Sequence, residues 1–244
     1  MNFWKIALIV LLLIIIFKRT SVLAFIGKLQ FGKGNSEKAL KILWIAERIG
    51  KLAPLDMMYS GYISLRTGDL EEARRKLAVA SIDAKKDAVK NRIKSLQALV
   101  LWKDGDLDGA IELLEDVIKS FETTTVYQNL GLLYVLKGDA EKAVEFNLKA
   151  YDYNEDDLVI ADNLAESYAI SGDIQKAGEL YEKILEKDPH FPEPYYSYGL
   201  ILIDKGEKER GIDLIKESLE KRFSFLSVKS KEEIEEILEK FINE

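Results

Sequence analysis

The sequence predicts an all-α fold, an α-solenoid of about six antiparallel helix pairs, and three observations lead to it. A phrase of the form Gly-polar-x-x-x-small recurs six times with its glycines 33 to 37 residues apart, and a period of this size is typical of stacked repeats. Apolar residues between the phrases recur at helical spacing. Two further positions of the period hold only glycine or alanine. The glycines of the phrase are Gly34, Gly68, Gly105, Gly138, Gly172 and Gly206.

The phrase is interpreted as the turn between the first helix (A) and the second helix (B) of each repeat. Glycine adopts the left-handed conformation that ends helix A without a steric penalty. An aspartate after it accepts hydrogen bonds from the free N–H groups that begin helix B. Asn35 is expected to be able to cap as well, whereas Glu207 caps less well, so the last turn is expected to be looser. The predicted aspartate caps are Asp69, Asp106, Asp139 and Asp173.

Counting back from each glycine divides residues 20–225 into six repeats: 20–53, 54–90, 91–123, 124–157, 158–191 and 192–225. The second repeat contains about three more residues than the other repeats, and they lie in the stretch ASIDAKKDAVKNR. This excess predicts that helix B of the second repeat is longer by about one turn. The eighth and twentieth positions of every repeat are small, which fits a close crossing of the two helices. These residues are Gly27, Gly61, Ala98, Gly131, Ala165 and Gly199, and Ala39, Ala73, Ala110, Ala143, Ala177 and Gly211.

With these positions in register, the chain resembles the tetratricopeptide repeat (TPR) family over residues 20–225. The clearest repeat, 158–191, carries the family pattern at Ala161, Leu164, Ala165, Tyr168, Gly172, Asp173, Ala177, Tyr181 and Pro189. Repeat 124–157 matches through Tyr127, Leu130, Gly131, Tyr134, Gly138, Ala143 and Ala150. The first repeat departs most, because its helix A, SVLAFIGKLQF, lacks the aromatic positions. The resemblance implies a right-handed TPR superhelix that presents a binding surface rather than a catalytic one.

Residues 226–244 are predicted to form a C-terminal capping helix. Ser230 and Glu233 make a capping box. Apolar side chains then form one stripe opposite a face of Lys and Glu, as expected of an element that covers the last core layer of a solenoid. The stripe consists of Ile234, Ile237, Leu238, Phe241 and Ile242. A membrane-surface helix is the alternative, and it is disfavoured because the polar face is mostly acidic.

Residues 1–19 are predicted to be a transmembrane anchor that contacts the lipid bilayer. The unbroken apolar run Ile6–Phe17 spans about 18 Å as a helix, less than the roughly 30 Å of a hydrocarbon core. Counting from Met1, with Trp4 at the interface and Lys5 extending outward, gives about 26 Å, which a slightly mismatched single span accommodates.

The alternative for this segment is a cleaved secretory signal with Val22-Leu23-Ala24 as its cleavage site. Lys18 and Arg19 disfavour it, because they stand where a signal peptide has small neutral residues. For a retained anchor, the positive-inside rule predicts a single-pass cell-membrane protein with its N-terminus outside and its repeats in the cytoplasm. Repeats outside the cytoplasm, or secreted, are the alternative. The basic residues that follow the run are Lys18, Arg19, Lys28 and Lys33, against Lys5 before it.

Charge and composition exclude several functional classes. Residues 1–33 hold five of the 35 basic residues and no acidic one, so the remainder has 30 basic against 42 acidic residues, a net charge of −12. Such an acidic body is unsuited to nucleic acid. With no cysteine and a single histidine, His190 in an inter-repeat turn, the sequence predicts no metal site, no cofactor and no catalytic triad, and therefore no enzyme.

Two functional classes remain. The first is a membrane-tethered scaffold that binds a peptide or partner protein in the concave TPR groove, and the second is a constitutive structural or assembly subunit of a membrane complex, or a self-associating scaffold. For the first, Asn129 and Asn163 occupy the same position of two successive repeats, where the family resemblance implies binding to a peptide backbone. Flanking groups are polar to acidic, which predicts a neutral or basic partner. They are Thr125, Gln128, Asp162, Glu166 and Glu193, with Tyr196 and Trp102 as aromatic contacts.

Overall fold

A computed structural model describes residues 3–5 and 18–243 of the chain, which divides into two compact units, Met1–Val100 and Leu101–Glu244. Over residues 18–243 the regular structure is entirely helical. The helices are α1 (Arg19–Gly32), α2 (Ser36–Ile49), α3 (Pro54–Arg66), α4 (Leu70–Asp83), α5 (Asp87–Lys103), α6 (Leu107–Ile118), α7 (Thr124–Lys137), α8 (Ala140–Tyr153), α9 (Leu158–Ile170), α10 (Ile174–Leu185), α11 (Glu193–Asp204), α12 (Lys208–Ser218) and α13 (Lys231–Asn243). The predicted all-α repeat fold is confirmed.

The turns between helix A and helix B are formed as the glycine phrase predicts. All six glycines have left-handed backbone conformations, with φ between +79° and +95°. The four aspartates each accept a hydrogen bond from the backbone N–H three residues later, at 2.9–3.3 Å. Glu207 makes no side-chain cap, as expected. Asn35 makes none either, since its Nδ2 donates instead to Oε1 of Gln30 at 3.2 Å.

The small positions mark where the helices of a pair cross most closely. A Cβ added to Gly199 on α11 would lie 2.8 Å from the carbonyl oxygen of Gly211 on α12 and 2.7 Å from Cγ1 of Ile215. At Gly131 on α7 it would overlap Oδ1 of Asn147 on α8. Glycine is therefore required at both positions for the two helices of the pair to lie this close together.

The predicted lengthening of helix B in repeat two is wrong. α4 has 14 residues and ends at Asp83, because the backbone becomes extended at Ala84 with ψ 123°. The additional residues lengthen α5 instead, which begins at Asp87 and has 17 residues. Asp87 favours this start, since a carboxylate in the first turn stabilises the positive end of a helix.

The C-terminal helix α13 packs on the last repeat. Its Ile234 and Leu238 share a buried apolar cluster with Ile215 of α12 and Tyr196 of α11. The predicted capping box is present: Ser230 N donates to Oε2 of Glu233 at 2.6 Å, and Glu233 N donates to Oγ of Ser230 at 3.1 Å. The helix therefore covers apolar surface that the repeats alone would leave open.

The predicted membrane anchor, residues 1–19, lies for the most part outside the described residues. Within residues 3–5 and 18–243, no helix has both the length and the apolar character needed to cross a bilayer.

Candidate functional site

A cavity of about 300 Å³ lies in the second unit, between the A helices of repeats four to six (α7, α9 and α11) and the segment that leads into α13. It is called the groove cavity below. Its apolar walls are formed by Leu132, Val135, Leu136, Ile170, Pro192, Tyr196, Val228 and Ile234. Its polar groups are Asp162, Asn163, Glu166, Glu193, Ser197 and Lys229. This volume is at the small end of the range for ligand pockets.

The connector between α12 and α13 bounds the groove cavity on one side. Lys103 at the end of α5 donates from Nζ to the backbone oxygen of Ser227 at 3.1 Å. Glu193 at the start of α11 accepts a hydrogen bond from Val228 N on Oε1 at 3.1 Å. The two contacts hold the connector against the A helices, so that the site is a bounded cavity. Sequence reasoning missed this, because the residues that meet are as much as 124 positions apart.

Asp162 is the most unusual group in the groove cavity. Its side chain lies on α9, is 9% exposed, and has no hydrogen-bond partner for Oδ1 among the described residues. Burial raises the pKa of this carboxyl well above its ordinary value, and repulsion from Glu193 and Glu166 raises it further. A buried carboxylate without a partner destabilises the folded state, since lost hydration is not replaced.

Glu166 stands one helical turn after Asp162 on α9, so the two side chains share one face of that helix. Its Oε2 accepts a hydrogen bond from the hydroxyl of Tyr181 on α10 at 2.7 Å. Tyr181 is completely buried in the core of repeat five. The core therefore fixes the position of this second carboxylate.

Glu193 supplies the third carboxylate, from the first turn of α11. Burial raises the pKa of Glu193, and the hydrogen bonds from its own backbone and from Val228 act in the opposite direction. Two cations are nearby. Lys103, whose pKa is lowered by burial, attracts Glu193 electrostatically, and Lys229 lies 4.0 Å from Oε1 of Glu233. Among the described residues, acidic groups thus outnumber basic ones in the lining, by Asp162, Glu166 and Glu193 to Lys229.

The side chain of Asn163 forms a hydrogen bond within the protein. It is 3% exposed, and its Nδ2 donates to the backbone oxygen of Gln128 on α7 at 2.9 Å, which ties repeat five to repeat four. Ser167 donates to the Asn163 backbone oxygen at 2.7 Å, and the buried Asn147 donates from Nδ2 to Oγ of Ser167 at 2.9 Å. The asparagine predicted to hold a peptide backbone is therefore also part of a buried polar network.

The structure brings together five of the nine side chains predicted for the site. Those that line the groove cavity are Asp162, Asn163, Glu166, Glu193 and Tyr196. Those outside its lining are Thr125, Gln128, Asn129 and Trp102. Gln128 donates from Nε2 to both carboxylate oxygens of Asp157 at 2.8 and 2.9 Å, and the ring of Trp102 lies 4.1 Å from the Lys103 ammonium. The sequence predicted the acidic residues and Tyr196, but not the other apolar residues of the walls.

Within the described part of the chain, no cluster of three or more His, Cys, Asp and Glu side chains is arranged to hold a metal ion.

Comparison with known proteins agrees with this repeat architecture. Residues 95–157, which include α6, α7 and α8, match the family model described as tetratricopeptide repeat. The TPR repeat-containing protein YpiA of Bacillus subtilis (strain 168) is 26% identical over 193 residues, covering 75% of this chain and 43% of YpiA. The TPR repeat-containing protein YvcD of the same organism is 28% identical over 125 residues, covering 51% of this chain and 26% of YvcD. The chain thus spans less than half the length of these relatives.

Among solved structures, a tetratricopeptide repeat protein from Parabacteroides merdae ATCC 43184 is similar, with a TM-score of 0.74 at 16% identity. The match covers 93% of this chain and 85% of that one. At this level of identity the likeness concerns the fold alone. The expected tetratricopeptide repeats are supported by the family model, by the relatives and by the fold.

Proposed function

We propose that this chain is a membrane-tethered scaffold, without catalytic activity, that binds a peptide or protein partner on the A-helix face of repeats four to six. The observation that carries the proposal is the groove cavity, where apolar walls surround carboxylates that are desolvated before any partner is bound. Such an arrangement lowers the stability of the free protein, which is typical of a binding site rather than of a structural core.

Membrane attachment is the second part of the proposal. It rests on the apolar run Ile6–Phe17 and on the excess of basic residues that follow it. In this arrangement the N-terminus is outside and the repeats are in the cytoplasm. Protease added to intact cells is expected to spare the repeats, and to digest them once the membrane is opened. Digestion in intact cells, or a mature N-terminus near Phe25, contradicts this topology.

Crosslinking in intact membranes followed by purification of the full chain tests the scaffold function. Ile170 lines the groove cavity and is 38% exposed, so Ile170→Arg changes the site while leaving the core intact. Leu148 on α8 is 39% exposed and lies outside the lining, so Leu148→Arg is the matched control. The wild type and the control are expected to capture the same partners, and Ile170→Arg to lose them. Equal capture by all three chains contradicts a role for this face.

A constitutive structural subunit is the second candidate, and the first unit provides the observation that favours it. Large apolar side chains on its helices are 37–85% exposed: Phe25, Ile26, Leu29, Trp44, Ile45, Leu55 and Ile82. Exposed apolar surface of this kind is typical of permanent association. The same crosslinking separates the two candidates. One or two stoichiometric partners that are insensitive to Ile170→Arg indicate a subunit, and several substoichiometric partners lost with that variant indicate a scaffold.

A further inference from the structure

We infer that the groove cavity binds one basic side chain of a partner, an arginine in preference to a lysine, with the cationic group between Asp162, Glu166 and Glu193. The inference rests on the proposed function and gives it a specific ligand chemistry. Three features of the site lead to it: a buried carboxyl oxygen without a partner, an excess of acidic over basic groups, and a bounded volume with apolar walls.

The unpaired oxygen of Asp162 indicates that a ligand is required. A side chain that is nine-tenths buried ordinarily has partners for its polar atoms, yet Oδ1 has none among the described residues. Glu193 and Glu166 add repulsion to the lost hydration. A cation placed here relieves all three effects at once, because it supplies donors to the oxygen and neutralises the like charges around it.

The basic residues of the chain do not meet this requirement. Among the described residues, Lys229 is the one basic residue in the lining, and its ammonium lies 4.0 Å from Oε1 of Glu233 on α13. Lys103 lies outside the lining; it donates to the Ser227 backbone oxygen and attracts Glu193 electrostatically. Asp162 is not joined to either of them by a hydrogen bond or an ion pair among the described residues.

Three carboxylates line the same cavity, and this number of acceptors favours a cation that carries several donors. A guanidinium group presents five N–H donors in a planar fork and contacts several separated acceptors together, whereas an ammonium acts as a compact point charge. The apolar walls, which include Leu136, Ile170 and Tyr196, suit the aliphatic stem of such a side chain.

The test uses the full chain in detergent and two small probes, N-acetyl-arginine amide and N-acetyl-citrulline amide, titrated by saturation-transfer NMR. Citrulline has the same shape as arginine without the charge. The wild type is expected to bind the arginine probe at least about tenfold more tightly than the citrulline probe, as for a charge-assisted contact in a desolvated site. N-acetyl-lysine amide is expected to bind with an intermediate affinity.

Variants locate the binding. Asp162→Asn and, separately, Glu193→Gln are expected to remove the preference for arginine over citrulline. Asp152→Asn, an exposed aspartate on α8 outside the lining, is expected to keep it. Circular dichroism establishes that each variant is folded, and Glu193→Gln keeps the test valid if Asp162→Asn is misfolded. Equal affinity for the two probes, no binding up to about 10 mM, or an unchanged preference in both variants overturns the inference.

Failure of this inference is distinguishable from failure of the scaffold function. If the wild type captures partners in the crosslinking experiment and loses them with Ile170→Arg, the A-helix face binds a partner. Unchanged capture by the Asp162→Asn and Glu193→Gln variants then shows that the contact does not depend on a cation, and it overturns the inference alone.

Discussion

Tyr181 donates its hydroxyl hydrogen to Oε2 of Glu166, with 2.7 Å between the two oxygens. The hydroxyl belongs to a completely buried side chain of the repeat-five core, whereas the carboxylate lines the groove cavity. Tyrosine at this position is part of the repeat pattern, and it acts here as a support for a polar group of the site. Packing of the repeat and geometry of the site are therefore coupled through one hydrogen bond.

Replacement of Tyr181 is expected to lower both the stability of the protein and its affinity for a cationic ligand. Tyr181→Phe should lower the free energy of unfolding by about 1.5–3 kcal/mol, the range for a buried hydrogen bond to a charged group. It should also weaken binding of N-acetyl-arginine amide severalfold, because Glu166 loses its fixed position. Thermal unfolding and NMR titration of the same preparations measure the two effects.

Tyr198→Phe is the matched control. Tyr198 donates its hydroxyl to Oε1 of Glu182 at 2.7 Å, the same kind of bond, and neither residue lines the groove cavity. The control is expected to lose stability and to keep its affinity for the arginine probe. A Tyr181→Phe variant with unchanged affinity would show that Glu166 does not depend on its support.

Asp162 predicts a specific dependence of stability on pH. Its folded-state pKa is raised above the ordinary value of 3.8, chiefly by burial and then by Glu193 and Glu166. The folded state therefore holds this proton more tightly than the unfolded state. The contribution of this proton to the stability of the folded state is fully present below pH 3.8, and it is lost as the pH rises through the folded-state pKa.

Asp162→Asn removes this dependence, because an amide does not ionise. At pH 8 the variant is expected to be more stable than the wild type by about 1 kcal/mol or more, since it avoids an unpaired buried charge. The difference should shrink towards pH 4, where the wild-type carboxyl is protonated. Urea unfolding of the two chains at several pH values measures it, with Asp152→Asn as the exposed control. A constant difference across this range contradicts the assigned role of burial.

Two classes of glycine are expected to respond differently to substitution. Gly138 has φ +79° and open space where a Cβ would lie, so the cost of Gly138→Ala is conformational, about 1–2 kcal/mol. Gly138→Asn should cost less, because asparagine tolerates the left-handed region. At Gly199 the cost is steric, since a Cβ meets the Gly211 carbonyl at 2.8 Å, and Asn should be worse than Ala. Thermal unfolding of the four variants tests this order, and the same order at both sites contradicts it.

The features predicted correctly from the sequence are those determined within a few residues. Gly138 and Asp139 form a turn and a cap by themselves, so their pattern is enough to place a helix boundary. The start of α5 at Asp87 was not predicted, because the repeat period does not show whether additional residues extend the helix before them or the helix after them. The contact of Lys103 with Ser227 was not predictable, because its two residues are brought together only after the intervening repeats have packed. The groove cavity needs that contact as one of its boundaries.

The last prediction concerns Asn163, for which the sequence alone predicts weaker peptide binding at nearly constant melting temperature when it is replaced together with Asn129 by alanine. The structure predicts a different result for Asn163→Ala. The residue is 3% exposed and its Nδ2 donates to the Gln128 backbone oxygen at 2.9 Å, so alanine removes a hydrogen bond that ties repeat five to repeat four. The expected loss is about 0.5–1.5 kcal/mol, or about 2–4 °C in melting temperature for each kcal/mol in a chain of this size. Asn35→Ala removes an exposed hydrogen bond between the side-chain amides of Asn35 and Gln30, and it should change stability by at most about 0.5 kcal/mol. A melting temperature for Asn163→Ala equal to that of the wild type would return Asn163 to the role of a free peptide contact.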